Sequence, residues 1–257
     1  MTLTISDLTA GYGSKTVLHN VTIGALQPGQ FVGLIGPNAS GKSTLFKTIS
    51  GLIRPRSGSI HLNGDAIIGL RRRELARRVV YMPQAFGCNA LLTVFESVLL
   101  ALKQTTGWRV DANNLDQVSN TLDRLQLGHL ADRGIADLSG GQAQMVAVAQ
   151  TLVREPDVVL LDEPTSALDL HHQLSILHSI REEMSRRKPV VIAALHDLNL
   201  AAKFCDRLIL LRDGQAVADG IPSQILETAE LGQTYRVLTD LETTRRGTLY
   251  VDARLGS

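Results

Sequence analysis

Cysteine is scarce in this sequence: Cys88 and Cys205 stand far apart and without metal-ligand spacing. That leaves no framework for a disulfide scaffold or a thiolate metal centre, and fits two free thiols in a reducing compartment. Neither sign of charge is in excess, with 26 Lys and Arg against 25 Asp and Glu and a net charge of +1. A general electrostatic attraction to nucleic acid or to an anionic membrane is therefore not expected. The densest basic stretch, Arg71, Arg72 and Arg73 with Arg77 and Arg78, reads as a solvated helix face. Long apolar runs are missing too: residues 91–102 are interrupted by Thr93, Glu96 and Ser97, well short of the ~18 apolar residues a spanning helix needs. The first residues lack a basic segment followed by an apolar core, so no secretory signal is read, and there is no internal repeat or low-complexity linker. A soluble protein of the cytoplasm is the expectation.

What is present is a βα rhythm with one interruption. β-formers between the turn signals Gly11, Gly13 and Pro28-Gly29 suggest several strands in residues 2–35, and residues 59–64 read as a strand entering an Asn-Gly turn. Residues 71–78 read as a short charged helix and 79–82 as a buried strand. From about 90 to 154 helical periodicity takes over, at 91–103, 115–127 and 141–154. Strands return at 157–161 and 190–195, apolar enough to be covered on both faces, and at 207–211, with helices at 169–186 and 198–204 between them. Alternation of this kind predicts an α/β fold with a mainly parallel sheet, an N-terminal antiparallel β subdomain and an inserted helical subdomain. The tail from Val237 carries mixed short strands and no clear site.

The chemistry is concentrated at Gly36-Pro37-Asn38-Ala39-Ser40-Gly41-Lys42-Ser43-Thr44, an ungapped match to G-x-x-x-x-G-K-[ST] between an apolar strand and a helix. Backbone N–H groups of such a turn converge on phosphate oxygens, Lys42 neutralises the outer phosphates, and the Ser43 hydroxyl ligates Mg²⁺. The strand at 157–161 runs into Asp162-Glu163-Pro164, so Asp162 can reach the metal shell while Glu163 takes a proton from an attacking water. Gln84, after a buried strand, can hold the metal or that water, and His196, after another, can donate to the γ-phosphate. Leu138-Ser139-Gly140-Gly141-Gln142 reads as a second anion site, with Ser139 as an N-cap and two glycines letting the backbone approach closely before a helix that starts near Gln142. Tyr12, between two glycines, is either a ring that stacks on a purine or a surface turn residue.

In this order the motifs resemble those of the ATP-binding subunits of ABC transporters, over most of the chain. The resemblance implies that Tyr12 stacks on adenine, residues 36–44 are the Walker A loop, and Gln84 is the Q-loop glutamine. It makes LSGGQ at 138–142 the family signature, Asp162 and Glu163 the Walker B carboxylate and catalytic base, residues 166–169 with Asp169 the D-loop, and His196 the switch histidine. It implies one ABC ATP-binding domain over 1–257, with 1–85 and 156–257 as the catalytic core with its β subdomain and 86–155 as the helical subdomain. Two departures stand out. Ala39 occupies a place where the family often has Gly, so the backbone there is expected to suit a Cβ, and Ala143 replaces a frequent Arg or Lys.

The resemblance further implies ATP and Mg²⁺ as ligands. Two copies pack head to tail around two ATP molecules, with Ser139 and Gly141 of one copy meeting the ATP of the other. Two transmembrane permease subunits and, indirectly, a substrate-binding protein complete the assembly at the cytoplasmic face of the inner (plasma) membrane, with no role for nucleic acid. The segment just after Gln84, with the helix at 91–103, resembles the region that receives a permease helix. Leu168-Asp169-Leu170-His171-His172-Gln173 and residues 194–202 are similar to the ATPases importing iron-siderophores, haem or cobalamin. ATPases of other importers or exporters, and soluble non-transport ABC ATPases, are the alternatives. His171, His172 and His178 read as a helix surface and not as metal ligands, because a transported metal should not touch this subunit.

Overall fold

The computed structural model describes residues 2–84, 91–107, 109–166, 168–245 and 247–255. Cys88, Ala167 of the D-loop stretch and the segment 85–90 just after Gln84 lie outside the described residues. The strands are β1 (Leu3–Tyr12), β2 (Lys15–Leu26), β3 (Phe31–Ile35), β4 (Ser57–Leu62), β5 (Asp65–Ala66), β6 (Val79–Met82), β7 (Val158–Asp162), β8 (Val190–Ala194), β9 (Arg207–Arg212), β10 (Gln215–Gly220), β11 (Leu238–Thr243) and β12 (Leu249–Arg254). The helices are α1 (Lys42–Ile49), α2 (Arg72–Arg78), α3 (Val94–Thr106), α4 (Ala112–Arg124), α5 (Gly140–Leu152), α6 (Leu170–Arg187), α7 (Leu198–Phe204), α8 (Pro222–Ile225) and α9 (Ala229–Tyr235).

β3, β7 and β8 are buried at every position, as their unbroken apolar sequences require of strands covered on both faces. They form the centre of a six-stranded sheet in the order β10-β9-β3-β8-β7-β6, parallel except for the edge strand β10. Successive side chains of a strand point to opposite faces, and here that alternation divides the core in two. Phe31, Ile35, Val159, Leu161, Val191 and Ala193 face the packed helices α3 to α7, while Val32, Leu34, Val158, Leu160, Val190 and Ile192 face α1 and the antiparallel sheet β2-β1-β4-β5. Because β3, β6, β7 and β8 are parallel, their carboxyl ends lie on one edge. Gly36, Gln84, Glu163 and His196 all follow those ends, which is why residues far apart in sequence meet.

Several boundaries differ from the sequence expectation, and each has a local cause. α3 starts at Val94 and not at residue 91, because Thr93 and Glu96, which look like interruptions of an apolar run, form a reciprocal capping box. α4 starts at Ala112 and not at 115, capped by Asp111 with Asn114, and it ends at Arg124 before Gln126 takes a φ of 58°. α5 begins at Gly140, two residues before Gln142, because Ser139 already caps it. α8 and α9 fall in a stretch to which sequence periodicity assigns nothing, being only 4 and 7 residues long. Among the described residues no helix is long and apolar enough to cross a membrane.

Candidate active site

The loop from β3 into α1 is shaped by its glycines and by Lys42. Gly36 has a φ of 147°, and a Cβ there would lie 2.2 Å from the Leu211 carbonyl oxygen. Gly41, at φ 107°, precedes α1 without any side-chain cap, so the first N–H groups of that helix remain available to an anion. Ala39 sits at φ 64°, in the left-handed region. The expectation that its backbone suits a Cβ is therefore not met, and an L-residue there carries a cost of about 1–2 kcal/mol. Lys42 is only 5% exposed and its Nζ donates to the carbonyls of Gly36 (2.7 Å) and Pro37 (2.9 Å), which ties the ammonium across the loop. Burial lowers the Lys42 pKa, and the charges of Glu163 and Asp162 work against that fall.

Two acidic groups stand at the end of β7. Asp162 is 2% exposed; one carboxylate oxygen accepts the Tyr81 hydroxyl from the neighbouring strand β6 at 2.9 Å, and the other has no hydrogen-bond partner. Burial and then Asp162 itself push the Tyr81 hydroxyl far above its ordinary pKa, so it remains a donor. Glu163 has a φ of 53°, a turn held by the Ser166 N–H and hydroxyl, which donate to the Glu163 carbonyl at 3.2 and 3.0 Å. Its carboxylate is suspended between two side chains: the Gln84 amide donates to one oxygen at 2.5 Å and His196 Nε2 meets the other at 2.5 Å.

A cleft of about 690 Å³ connects the phosphate loop with Glu163, Gln84 and His196, and the buried Asp162 lies outside its lining. Tyr12, residues 38–44, Gln84, Glu163 and His196 line it, together with Lys15 and Val17. Tyr12 is half exposed at the cleft wall, with the Lys47 ammonium 5.9 Å from its ring centroid.

Ser139, Gly140, Gly141, Gln142 and Asp169 do not line that cleft. Ser139 and Gln142 form a reciprocal capping box on α5, with N–H to side-chain distances of 3.3 and 3.0 Å. Gly140 is exposed and open, whereas a Cβ on Gly141 would come within 2.5 Å of the His172 ring. The second glycine thus serves packing against α6 inside this chain. Asp169 caps α6, accepting the His172 N–H at 2.9 Å and pairing with its Nδ1 at 2.8 Å, and those hydrogen bonds lower the Asp169 pKa. Asp169, His171 and His172 place their ligand atoms within 4.8 Å of one another, while His178 packs edge-on against Phe204.

A family model described as ABC transporter matches residues 18–166, more than half of the chain. The chain belongs to the ABC transporter family. It is similar to the ferric enterobactin transport ATP-binding protein of Escherichia coli strain K12, at 39% identity over 88% of this chain and 83% of that protein. It is similar also to the hemin import ATP-binding protein of Rhodopseudomonas palustris strain HaA2, at 35% identity over 93% and 92%. Among solved structures it resembles a dimeric ATP-binding cassette in a post-hydrolysis state bound to ADP and Pi, with a TM-score of 0.75 and 28% identity over 86% of this chain and 98% of that one. As a member of the ABC family with a P-loop NTPase fold, the chain is an ATPase.

Within this ABC ATPase, two tyrosines of the site escape the sequence reading. Tyr81 orients Asp162 from the adjacent strand, and the Tyr235 hydroxyl, at the end of α9, accepts the Gly36 N–H at 2.8 Å. For Tyr81 a signal exists, since a tyrosine in an apolar strand needs a partner for its hydroxyl. Tyr235 is separated from its partner by 199 positions and lies in a helix too short to register.

Proposed function

We propose that the chain is the ATP-hydrolysing subunit of an importer for a metal chelate, that is an iron-siderophore, haem or cobalamin. It works at the cytoplasmic face of the plasma membrane through two separate permease subunits. Two copies close head to tail over two ATP molecules, so that Ser139 and Gly141 of each meet the γ-phosphate held by the other. In this reading 1–85 and 156–257 make the catalytic core and 86–155 the helical subdomain that carries the signature. The names of the relatives support the substrate class, one being a ferric enterobactin transport ATP-binding protein and another a hemin import ATP-binding protein.

The observation that carries the proposal is the placement of Glu163. Its carboxylate is aimed by Gln84 and His196 at the edge of the cleft that the phosphate loop lines. In that position Glu163 accepts a proton as the oxygen of a water attacks the γ-phosphorus and the bond to the β–γ bridging oxygen breaks, leaving ADP and phosphate. His196 holds the carboxylate and faces the departing phosphoryl group. Lys42 exchanges the Gly36 and Pro37 carbonyls for phosphate oxygens, and Tyr12 stacks on adenine.

Mg²⁺ fits the donor set: the unpaired buried oxygen of Asp162, the Ser43 hydroxyl and the Gln84 carboxamide are the hard oxygen ligands such an ion takes. When bound it supplies neutralisation of phosphate charge. Tyr81 leaves one oxygen of Asp162 for that purpose by occupying the other.

Glu163→Gln removes the base and keeps the phosphate ligands. Phosphate release should fall by about 10²-fold or more, while ATP binding stays within a few-fold of wild type. Turnover near the wild-type rate in that variant contradicts the assignment.

A further inference from the structure

The C-terminal segment has no role in the sequence reading, yet it touches the nucleotide cleft's framework at two points. At the first, Tyr235 ends α9, and Arg236 at φ 57° turns the chain away into β11. The half-buried ring packs against the core and its hydroxyl accepts the Gly36 N–H at 2.8 Å. Gly36 opens the phosphate loop, and its carbonyl, on the far side of the same residue, receives Lys42 Nζ at 2.7 Å. Burial pushes the Tyr235 hydroxyl up to about 12, with the Gly36 N–H drawing it partly back, so the hydroxyl stays neutral at ordinary pH.

At the second point β12 runs beside α7, the helix that follows His196. The Val251 N–H donates to the Asn199 side-chain oxygen at 2.7 Å, and the Asn199 amide returns to the Val251 carbonyl at 3.5 Å. Val251 is buried in the same core that Tyr235 packs against.

We propose that Tyr235 is a positioning residue for ATP. It fixes the Ile35-Gly36 peptide and so the backbone that opens the phosphate loop, and together with the Asn199 clasp it makes the segment from α8 to β12 a strap joining that loop to the helix behind His196. The proposal rests on reading the cleft as the ATP site. Without the hydroxyl, the Gly36 N–H loses its acceptor, and the loop must rotate to find another or pay for the loss when phosphate binds.

The test is calorimetric titration of the full-length chain with ATP and Mg²⁺, beside thermal melts. Tyr235→Phe, which keeps the ring, should weaken ATP binding about five- to tenfold, the scale of one hydrogen bond, with kcat at saturating ATP within about twofold of wild type. Asn199→Ala should weaken binding less, and the two effects should be non-additive because they act on one strap. An unchanged Kd in Tyr235→Phe overturns the proposal, whether or not Tm falls, since a merely structural tyrosine moves Tm alone. Lys42→Ala separates the two levels. If wild type binds ATP, Lys42→Ala does not, and Tyr235→Phe matches wild type, the positioning role fails and the ATP site stands; a wild type that takes up no ATP overturns both.

Discussion

The start of α1 and the start of α5 are both glycine-containing helix beginnings read from sequence as anion sites, and they are built in opposite ways. At α1 no side chain caps the helix, a lysine is buried across the loop, and the loop lines a cleft with Gln84, Glu163 and His196. At α5 the Gln142 N–H is already taken by Ser139, Ser139 and Gly140 are exposed, and no part of 139–142 reaches that cleft. The first is organised by its own chain. The second leaves Gly140 exposed and, among the described residues, has no charged group buried beside it, so its ligand is expected to arrive with another molecule. The difference teaches that matching glycine content does not make matching sites: Gly36 avoids the Leu211 backbone, whereas Gly141 makes room for a histidine ring.

That contrast can be pressed experimentally. The turnover loss expected of Glu163→Gln is the largest effect and belongs to the cleft lined by the phosphate loop. Next in size is Gly141→Ala: the added Cβ must displace the His172 ring, an overpacking cost of about 1–3 kcal/mol, read by denaturant unfolding. Combining it with His172→Ala should recover most of the loss, because the clash is with that ring. Recovery failing there would mean that Gly141 is held small by something other than His172. The smallest effect is expected at Ala39→Gly. Relief of the left-handed alanine is offset by the larger unfolded-state entropy of glycine, leaving a gain below about 1 kcal/mol and a Tm rise of about 2 °C. A fall in Tm would show that the Ala39 methyl contributes contacts that outweigh its backbone cost.

The elements that carry the cleft were legible because each announces itself locally. β3, β7 and β8 are unbroken apolar runs, and the loop between β3 and α1 has fixed spacing, so the positions of Gly36, Lys42, Asp162, Glu163 and His196 relative to strand ends follow from the chain itself. What the sequence hides is long-range or short-lived. Tyr81 and Asp162 are 81 positions apart, and Tyr235 and Gly36 are 199 apart, so neither pair leaves a periodic trace. The starts of α3 and α4, capped by Thr93 and Asp111, differ from the sequence expectation for another reason. Their side chains compete with the helical pattern in composition while satisfying its first N–H groups in space, so polarity reads as an interruption where it is a beginning.

The central claim is that the cleft lined by the phosphate loop is half of the ATP site and that the exposed start of α5 supplies the rest from a second copy. The most direct measurement is the mass in solution, by light scattering, of Glu163→Gln with ATP, alone and combined with Ser139→Arg. The account predicts that Glu163→Gln shifts to twice the monomer mass on adding ATP. It predicts that the Ser139→Arg combination stays monomeric while still binding ATP. Equal ATP-driven dimerisation of both proteins would contradict it.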